Sequence, residues 1–439
     1  MGNPRKIALD ILKRVEAGSA YPDILLDKWF KKVELSTQDR AFTTSLVYGT
    51  LRWKGRIDWV IDQFSRVKTK KLEHKILLAL RLGVYQLLFT DKVPPSAAVD
   101  ESVKLVKPLG KEKGNFVNAI LRRVDRERAN ISFPELGKDP ILHISIFWSH
   151  PAWMVKRWVG RYGVEETIRL CQSNNEIPPQ VLRVNTLKVT RDELLERLRK
   201  EGLEVRPTRF SPDGIEIVEG HLPTSYYIQD EASQLISYLV DPRPCEVIVD
   251  ACAAPGGKAT HLAQLMKNNG VIYAMDIYPA RVNIIKETCK RLDTTIVKPV
   301  VGNATKGLTF APKDGFDAIL ADAPCSGLGV LRRNPDIKWK RKEGDIKRLS
   351  QLQKDILSNL AGYVKKGGRI VYSACTLELE ENEEVVNDFL ERHKDFVVED
   401  AGQLLPNQCH GIVDKKALRT FPPRDGMDGF FAVRLKRCL

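Results

Sequence analysis

EVIVDACAAPGGKATHLAQLMKNNGVIYAMDI, residues 246–277, is the stretch on which the fold turns. Glu246 to Ala253 reads as an apolar strand running into small residues. Pro255, Gly256 and Gly257 make a turn, HLAQLMKNN reads as a helix, and a second apolar run ends on Asp276. Strand, turn, helix, strand is a βαβ unit. The rhythm continues through TIVKPVVG, FDAILADAP and GGRIVYSAC, with ARVNIIKETCKRL helical between the second and third strands. It predicts an open, mainly parallel α/β sheet over 239–439, with ligands at the carboxyl ends of the strands. FFAVRLKRC reads as a late edge or hairpin strand.

The glycine turn limits what can bind. Gly256 and Gly257 let a ligand approach the backbone, and the helix N-terminus behind them favours an anionic group. Asp276, nineteen residues after Gly257, can bind both ribose hydroxyls of an adenosine. Neither G-x-G-x-x-G nor a Walker loop is present, which disfavours NAD and ATP. A nucleoside-containing cofactor such as S-adenosylmethionine fits one glycine turn with Lys258 beside it. A simple structural turn is the alternative.

Two strands end near cysteines. FDAILADAPCSGLG carries Cys325 and GRIVYSACTLE carries Cys375. Cys171, Cys245, Cys289, Cys409 and Cys438 read as packing residues. Two cysteines beside a cofactor crevice suit methylation of a pyrimidine carbon. C5 of cytosine is a poor nucleophile until a thiolate adds at C6. An ordinary thiol is only about 3% thiolate at neutral pH, so such a site must favour the thiolate or supply a base. Asp322 can hold the amino and N3 edge of cytosine, or simply serve as a cap or loop acid. Spacing alone leaves open which cysteine attacks.

Upstream, the pattern is helical. Ile7, Ala8, Ile11, Leu12 and Val15 share one face over 4–16, and helical patterns recur over 38–62, 74–90, 96–107 and 115–128. The first 135 residues read as an all-α bundle. Its basic clusters, Lys68–Lys71 and Arg122, Arg123, Arg126 and Arg128, either meet a polyanion or form a solvated face. Ser132–Pro140 reads as a linker. VLRVNTL, EVRPT and GIEIVEG then read as strands, with a helix capped by Thr190 and Glu193. A small α+β unit is expected over 141–238.

Length and composition agree. With 439 residues the chain needs two or three cores. Lys plus Arg is 70 and Asp plus Glu 56, a formal +14 that suits nucleic acid. ILLALRLGVYQLLF is short and holds Arg81, so it reads as a buried helix, and no membrane partner is expected. MGNPRKIALD lacks the apolar core of a signal peptide. Eight cysteines without a C-x-x-C and seven histidines without metal spacing predict a reduced, cytoplasmic chain with no metal.

DACAAPGGK, DAPCSGLGVLRRNPDIKW and YSACTLELEENE resemble the motifs of RNA (cytosine-C5) methyltransferases. With DRAFTTSLVYGTLRWKGRIDWVI, FVNAILRRV, VLRVNTLK, QDEASQL and DGFFAVRL, the whole order is similar to the RsmB (Sun, Fmu) family. The resemblance covers nearly the whole chain. It implies a NusB-like all-α domain (1–135), a small α+β middle domain (141–238) and a Rossmann-like class I methyltransferase domain (239–439). It implies transfer of a methyl group from S-adenosyl-L-methionine to C5 of a cytosine in 16S ribosomal RNA, expected at the cytosine-967 site. A monomer acting on free or partly assembled small-subunit RNA is expected, with the helical domain giving RNA affinity and no chemistry.

The resemblance also assigns roles. It makes the later cysteine, Cys375, the nucleophile and gives Cys325 product release; in DNA cytosine methyltransferases the Pro-Cys cysteine attacks instead. The cofactor contacts it carries over are Cys252, Ala253, Ala254, Pro255, Gly256, Gly257, Lys258, Asp276, Asn303 and Asp322. Asn303 departs from the family's Asp: it can hydrogen-bond but brings no charge. Arg332, Arg333, Lys338, Trp339 and Lys340 suit phosphates and a stacked base, or a loop packed on its domain. The rivals are a tRNA or DNA cytosine methylase, which the helical domain disfavours, and an RNA-binding assembly or antitermination factor, which both cysteines and Asp322 disfavour.

Overall fold

The structure, a computed structural model, describes residues 2–18, 20–220 and 226–438. They form two compact units. One holds the residues up to Glu176 together with Leu331–Arg341; the other holds Ile177–Val330 and the residues from Lys342 onward.

The first unit is helical: α1 (Pro4–Glu16), α2 (Pro22–Lys32), α3 (Thr37–Arg52), α4 (Lys54–Phe64), α5 (His74–Phe89), α6 (Pro95–Val106), α7 (Lys111–Glu127), α8 (Pro140–Phe147) and α9 (Ala152–Asn175). The face expected on α1 is buried, with Leu9 added to it. The pattern expected as one helix over 38–62 is two, broken at Trp53, because an apolar face alone does not mark a break in helix direction. α5 is buried on all sides from Ile76 to Leu87. Its Arg81 is tolerated there because Asp58 accepts at 2.6 and 2.7 Å and Glu16 at 2.7 Å. The arginine cluster is not a bare positive face. Arg122 pairs with Asp100 at 3.4 Å, and Arg123 and Arg126 pair with Glu127 at 3.3 and 2.8 Å.

Leu331–Arg341 packs within this helical unit. Lys338, read from the sequence as a possible phosphate contact, is fully buried. Its Nζ donates to the carbonyls of Arg52 and Ser149, both at 3.1 Å, and to Asn175 Oδ1 at 2.7 Å. Burial holds its pKa well below the ordinary lysine value. Trp339 Nε1 donates to the Leu51 carbonyl at 2.6 Å, and Lys54 Nζ lies 4.9 Å from the ring centroid. Gly55 permits that approach, since a Cβ there would meet Trp339 at 2.9 Å. Arg332 is buried too, and its carbonyl accepts from Arg52 at 3.0 Å. For Arg332, Lys338 and Trp339 the packed-loop alternative is the one observed.

The second unit contains two sheets. β1 (Gln180–Arg183), β2 (Glu204–Pro207), β3 (Gly214–Glu219) and β4 (Tyr227–Ile228) form an antiparallel sheet in the order β2-β3-β1-β4. Against it packs α10 (Arg191–Lys200), started by the expected Thr190–Glu193 capping box. Leu182, Leu194, Leu198 and Ile215 are among its buried core. After α11 (Glu231–Val240) comes the larger sheet: β5 (Val247–Asp250), β6 (Val271–Asp276), β7 (Val297–Val301), β8 (Phe316–Asp322), β9 (Val364–Ala374), β10 (Phe396–Glu399), β11 (Val413–Asp414), β12 (Ala417–Arg419) and β13 (Phe431–Arg437). Its order is β11-β12-β13-β9-β8-β5-β6-β7, with β10 also paired to β13. The β5–β9 core is parallel. α12 (Gly257–Leu265) and α13 (Pro279–Leu292) are the first two crossovers.

Of the two positions expected for β13, edge or hairpin strand, the edge is corrected, while its antiparallel pairing with β12, the strand before it in the chain, fits the other. β13 pairs antiparallel with β9 on one side and with β10 and β12 on the other. Phe431 to Leu435 are all buried, so its apolar run reflects an interior position. Cys171, Cys289 and Cys409 are buried as expected, whereas Cys245 and Cys438 are exposed, with the Cys245 thiol donating to Asn269 Oδ1 at 3.6 Å.

The buried amine gives a test. Lys338→Ala removes three donated hydrogen bonds and leaves a cavity, and is expected to cost about 3 kcal/mol in stability. Denaturant unfolding of the full chain measures this. Unchanged stability with a weaker salt dependence of RNA binding would return Lys338 to phosphate contact.

Candidate active site

The parallel pairing of β8 with β9 sets Asp322 opposite Ser373. Ser373 Oγ donates to Asp322 Oδ1 at 2.7 Å, and Lys258 Nζ, from the first turn of α12, donates to Oδ2 at 2.6 Å. Cys325 follows Asp322 by three residues and Cys375 follows Ser373 by two. The register therefore brings the two turns together, and the Sγ atoms lie 3.1 Å apart.

Two thiols this close cannot both ionise cheaply. Cys325 is pushed well above the ordinary thiol range, first by its hydrogen bond with Cys375, then by burial, with Glu381 and Asp322 adding negative charge. Burial opposes the charge on Lys258, but Asp322 outweighs it and holds the ammonium's pKa above its usual value; Cys375 is among the groups favouring that charge.

The glycine turn has the geometry the sequence suggested. Gly256 has φ +102°, and α12 begins at Gly257. A Cβ at Gly257 would meet the Tyr227 hydroxyl at 2.6 Å, so a side chain is excluded there. Cys252, Ala253, Ala254 and Pro255 form the chain between β5 and this turn, and the Ala253 N–H donates to the Met275 carbonyl of β6 at 2.8 Å. Cys252 is pushed up by burial and by Asp250, as befits a thiol kept neutral. Asp276 is buried at the end of β6, where Oδ1 accepts from the Tyr278 N–H at 3.0 Å. Asn303 lies two residues past β7. Its Oδ1 accepts from the N–H and the hydroxyl of Thr305, both at 2.9 Å, so its carbonyl serves its own turn.

Two polar residues here were not singled out from the sequence. Arg183 of β1 is fully buried and braces the turn: it bonds the Gly257 carbonyl, and donates to Thr260 Oγ1 at 2.9 Å and to Gln229 Oε1 at 2.6 Å. Burial brings its pKa down to about 10, so it stays charged at neutral pH. Asp250 ends β5, and neither carboxylate oxygen has a hydrogen-bond partner among the described residues. Burial, then the nearby Asp322, pushes it up to about 7, with Lys258 opposing. Each could have been found as a charge set in an apolar strand, VLRV and VIVD. Among the described residues, no group of three or more His, Cys, Asp or Glu is arranged to hold a metal ion.

Residues 237–436 match the family described as 16S rRNA methyltransferase RsmB/F. Residues 2–126 match the NusB family, and 150–222 match an RsmF/B-like ferredoxin-like domain. A Bacillus subtilis protein named "Probable ribosomal RNA small subunit methyltransferase B" is 38% identical over 99% of this chain and 98% of its own length. The chain belongs to the RsmB/F methyltransferase family. Its parts are thus a NusB-type helical domain, a ferredoxin-like middle domain and a Rossmann-like methyltransferase sheet. The crystal structure of PH0851 is similar over 100% of both chains, with 29% identity and a TM-score of 0.83. NSun6 from Pyrococcus horikoshii, solved with SFG, is 25% identical with a TM-score of 0.56, covering 65% of this chain and 97% of its own.

Asp250 yields a pH prediction. The folded chain keeps this carboxyl protonated up to about 7, whereas an unfolded chain releases the proton near 3.8. Its contribution to stability is therefore full below 3.8 and lost as pH rises through about 7. Asp250→Asn, which cannot ionise, is expected to gain on the wild type across that window by up to about 4 kcal/mol. Urea unfolding of both proteins without cofactor checks this. A difference that does not change with pH would mean Asp250 is already ionised and stabilised.

Proposed function

We propose that the chain transfers a methyl group from S-adenosyl-L-methionine to C5 of a cytosine in 16S ribosomal RNA, at the cytosine-967 site. The observation that carries this reading is the pair of thiols 3.1 Å apart at the ends of β8 and β9. The family supports the small-subunit rRNA as substrate class. We assign Cys375 as the nucleophile, Cys325 to product release and Asp322 to the cytosine edge.

The turn residues Cys252, Ala253, Ala254, Pro255, Gly256, Gly257 and Lys258, with Asp276, Asn303 and Asp322, are assigned to the cofactor. Its chemistry fits them. A backbone turn without side chains accepts a close ligand, Asp276 suits ribose hydroxyls, and the unpartnered Asp250 carboxylate suits a nearby positive charge. The NSun6 relative's SFG, an S-adenosylmethionine analogue, supports the same choice. When bound, the cofactor supplies a methyl group on a positively charged sulfur.

The chain's own residues do the rest. Cys375 Sγ adds to C6, and the electron pair displaced from the C5–C6 double bond makes C5 nucleophilic. Lys258 places a positive charge within electrostatic reach of Cys375. Asp322 is braced by Lys258 and Ser373 and keeps about a quarter of its side-chain surface exposed, enough to meet a base edge. After methylation a base takes the C5 proton, the C5–H electron pair re-forms the C5–C6 double bond, and the C6–S bond breaks to return the Cys375 thiolate. Cys325 lies beside that bond; once Cys375 is held as a thioether it can give its own proton to water, and we assign the resulting thiolate the role of that base. The base must leave its stack to reach the thiols.

We place the protein in the cytoplasm as a monomer; no described helix is long and apolar enough to cross a membrane. RNA affinity is assigned to the helical domain. Lys70 and Lys71 are exposed, so Lys70→Glu with Lys71→Glu should weaken RNA binding and reduce the log–log salt slope by about 2, leaving cofactor affinity unchanged. An unaltered slope in filter binding would move the RNA surface elsewhere.

The cysteines give the decisive test. Cys375→Ala is expected to form no covalent complex and transfer no methyl group. Cys325→Ala should still attack and fail to release, accumulating a denaturation-resistant protein–RNA band when RNA and cofactor are present. The opposite pattern assigns attack to Cys325. Full activity in both variants removes the covalent mechanism. Bisulfite mapping of 16S RNA from cells with and without the protein tests the nucleotide.

A further inference from the structure

Glu381 lies in LELEENE, beyond Cys375, and no role has been assigned to it above. It is fully buried. Its Oε1 accepts from the Ser326 N–H at 2.8 Å and from Gln353 Nε2 at 3.0 Å. Its Oε2 accepts from Ser326 Oγ at 2.5 Å and Thr376 Oγ1 at 3.0 Å. Ser326 follows Cys325 and Thr376 follows Cys375. One carboxylate therefore grips the residue after each cysteine, and the two hydroxyls also meet each other at 2.8 Å. Gln353 extends the brace by donating to the Pro324 carbonyl at 2.9 Å, on the other side of Cys325. From the second loop, the Cys375 carbonyl accepts from the Gly329 N–H at 3.0 Å.

We propose that Glu381 is a positioning residue that sets the separation of the Cys325 and Cys375 thiols by bracing both cysteine loops on one carboxylate. Four donors around one buried carboxylate fix both oxygens, so neither loop can shift without breaking a charge-assisted bond. Among the described residues no cation pairs with it, so the side chain also contributes an uncompensated negative charge if ionised. The titratable groups facing this cluster are Cys325, Cys375, Asp322 and Tyr372, with Lys258 beyond Asp322. Burial raises the Glu381 carboxyl while its four hydrogen bonds oppose the rise. Its charge is one of the influences that keep Cys325 protonated, which keeps Cys325 from competing with Cys375 for attack. In this respect the inference rests on the proposed cysteine roles; the distance it sets does not.

The test uses the full chain, with Glu381→Gln as the conservative variant and Glu381→Ala as the severe one. Diamide closes neighbouring thiols to a disulfide: two thiols lose two electrons and two protons, and the azo bond becomes a hydrazine. The rate of Cys325–Cys375 closure, read by mass spectrometry without RNA or cofactor, should fall at least tenfold in Glu381→Ala and less in Glu381→Gln. Alkylation of Cys325 by iodoacetamide should move to lower pH in Glu381→Gln, because a negative charge has gone. With RNA, kcat should fall at least tenfold in both while KM for RNA stays within twofold. If Glu381→Ala does not fold, Thr376→Val, which cuts one arm of the brace, takes its place. Wild-type closure rates and a wild-type alkylation profile in the folded variants would overturn the proposal. Altered thiol behaviour in the Glu381 variants, together with a wild type that makes no 5-methylcytosine, would instead overturn the proposed function and leave the brace standing.

Discussion

Asp322 and Ser373 face each other across two parallel strands, and the chemistry of the site depends on that register. β8 and β9 pair from Ala318–Arg369 through to Asp322–Ser373. Both are interior strands whose side chains are buried on both faces, Phe316, Ile319 and Leu320 in one and Ile370, Val371 and Tyr372 in the other. A slip of one residue would turn every one of these side chains to the opposite face. Core packing thus fixes where each strand ends, and the two cysteines meet because each lies within three residues of its strand end. The hydrophobic core and the thiol separation are not independent features. Glu381 works on what the register leaves loose, the turns beyond the strands.

Buried polar groups separate by whether they are satisfied. Arg81 has three carboxylate bonds, Lys338 three acceptors and Glu381 four donors. Each offsets its own desolvation and holds elements together, as buried polar groups ordinarily do. Asp250 is different. Its two oxygens are buried near Asp322 and Asp276 with no well-aligned donor, the Cys252 N–H being the nearest, and burial first, then Asp322, pushes its carboxyl up to about 7. A fold gains nothing from such a group on its own. Lys258 and the Cys252 N–H offset only part of that cost, which sets Asp250 apart from the equally buried but fully bonded Lys338.

The strands and the glycine turn were legible because their signals are local. Five apolar runs bounded by turn residues became β5 to β9, and Thr190 with Glu193 became a capping box. What escaped was set by tertiary contact. FFAVRLKRC reads the same at an edge or in an interior position; only its partners on both sides distinguish them. Lys338, Trp339 and Arg332 carry the composition of an RNA contact, and nothing in RRNPDIKWK says that Arg52, Ser149 and Asn175 will accept the lysine's protons. Glu381 was hidden among Glu378, Glu380 and Glu383, where Glu378 is buried as well and only the bonding partners tell the two inward acids apart. The thiol pair lay between these cases. Strand ends placed both cysteines at the same edge of the sheet, but their 3.1 Å separation needed the strand order, which puts β9 beside β8.

The packing of Leu331–Arg341 changes how the helical domain should be regarded. The expectation was a module that contributes affinity and no chemistry. Yet the chain leaves Cys325, and within six residues enters a segment whose Leu331, Arg332, Pro335, Asp336 and Lys338 are buried in the helical unit. Without α3, the Arg52 carbonyl that accepts from Lys338 and the Leu51 carbonyl that accepts from Trp339 are gone. A lysine amine whose burial depends on three fixed acceptors would then return to water, and with it the short segment it anchors. Truncation at residue 135 therefore cannot be read as subtracting RNA affinity alone. It also frees the chain on the C-terminal side of Cys325, and any loss of activity that followed would have a structural cause close to the thiol itself.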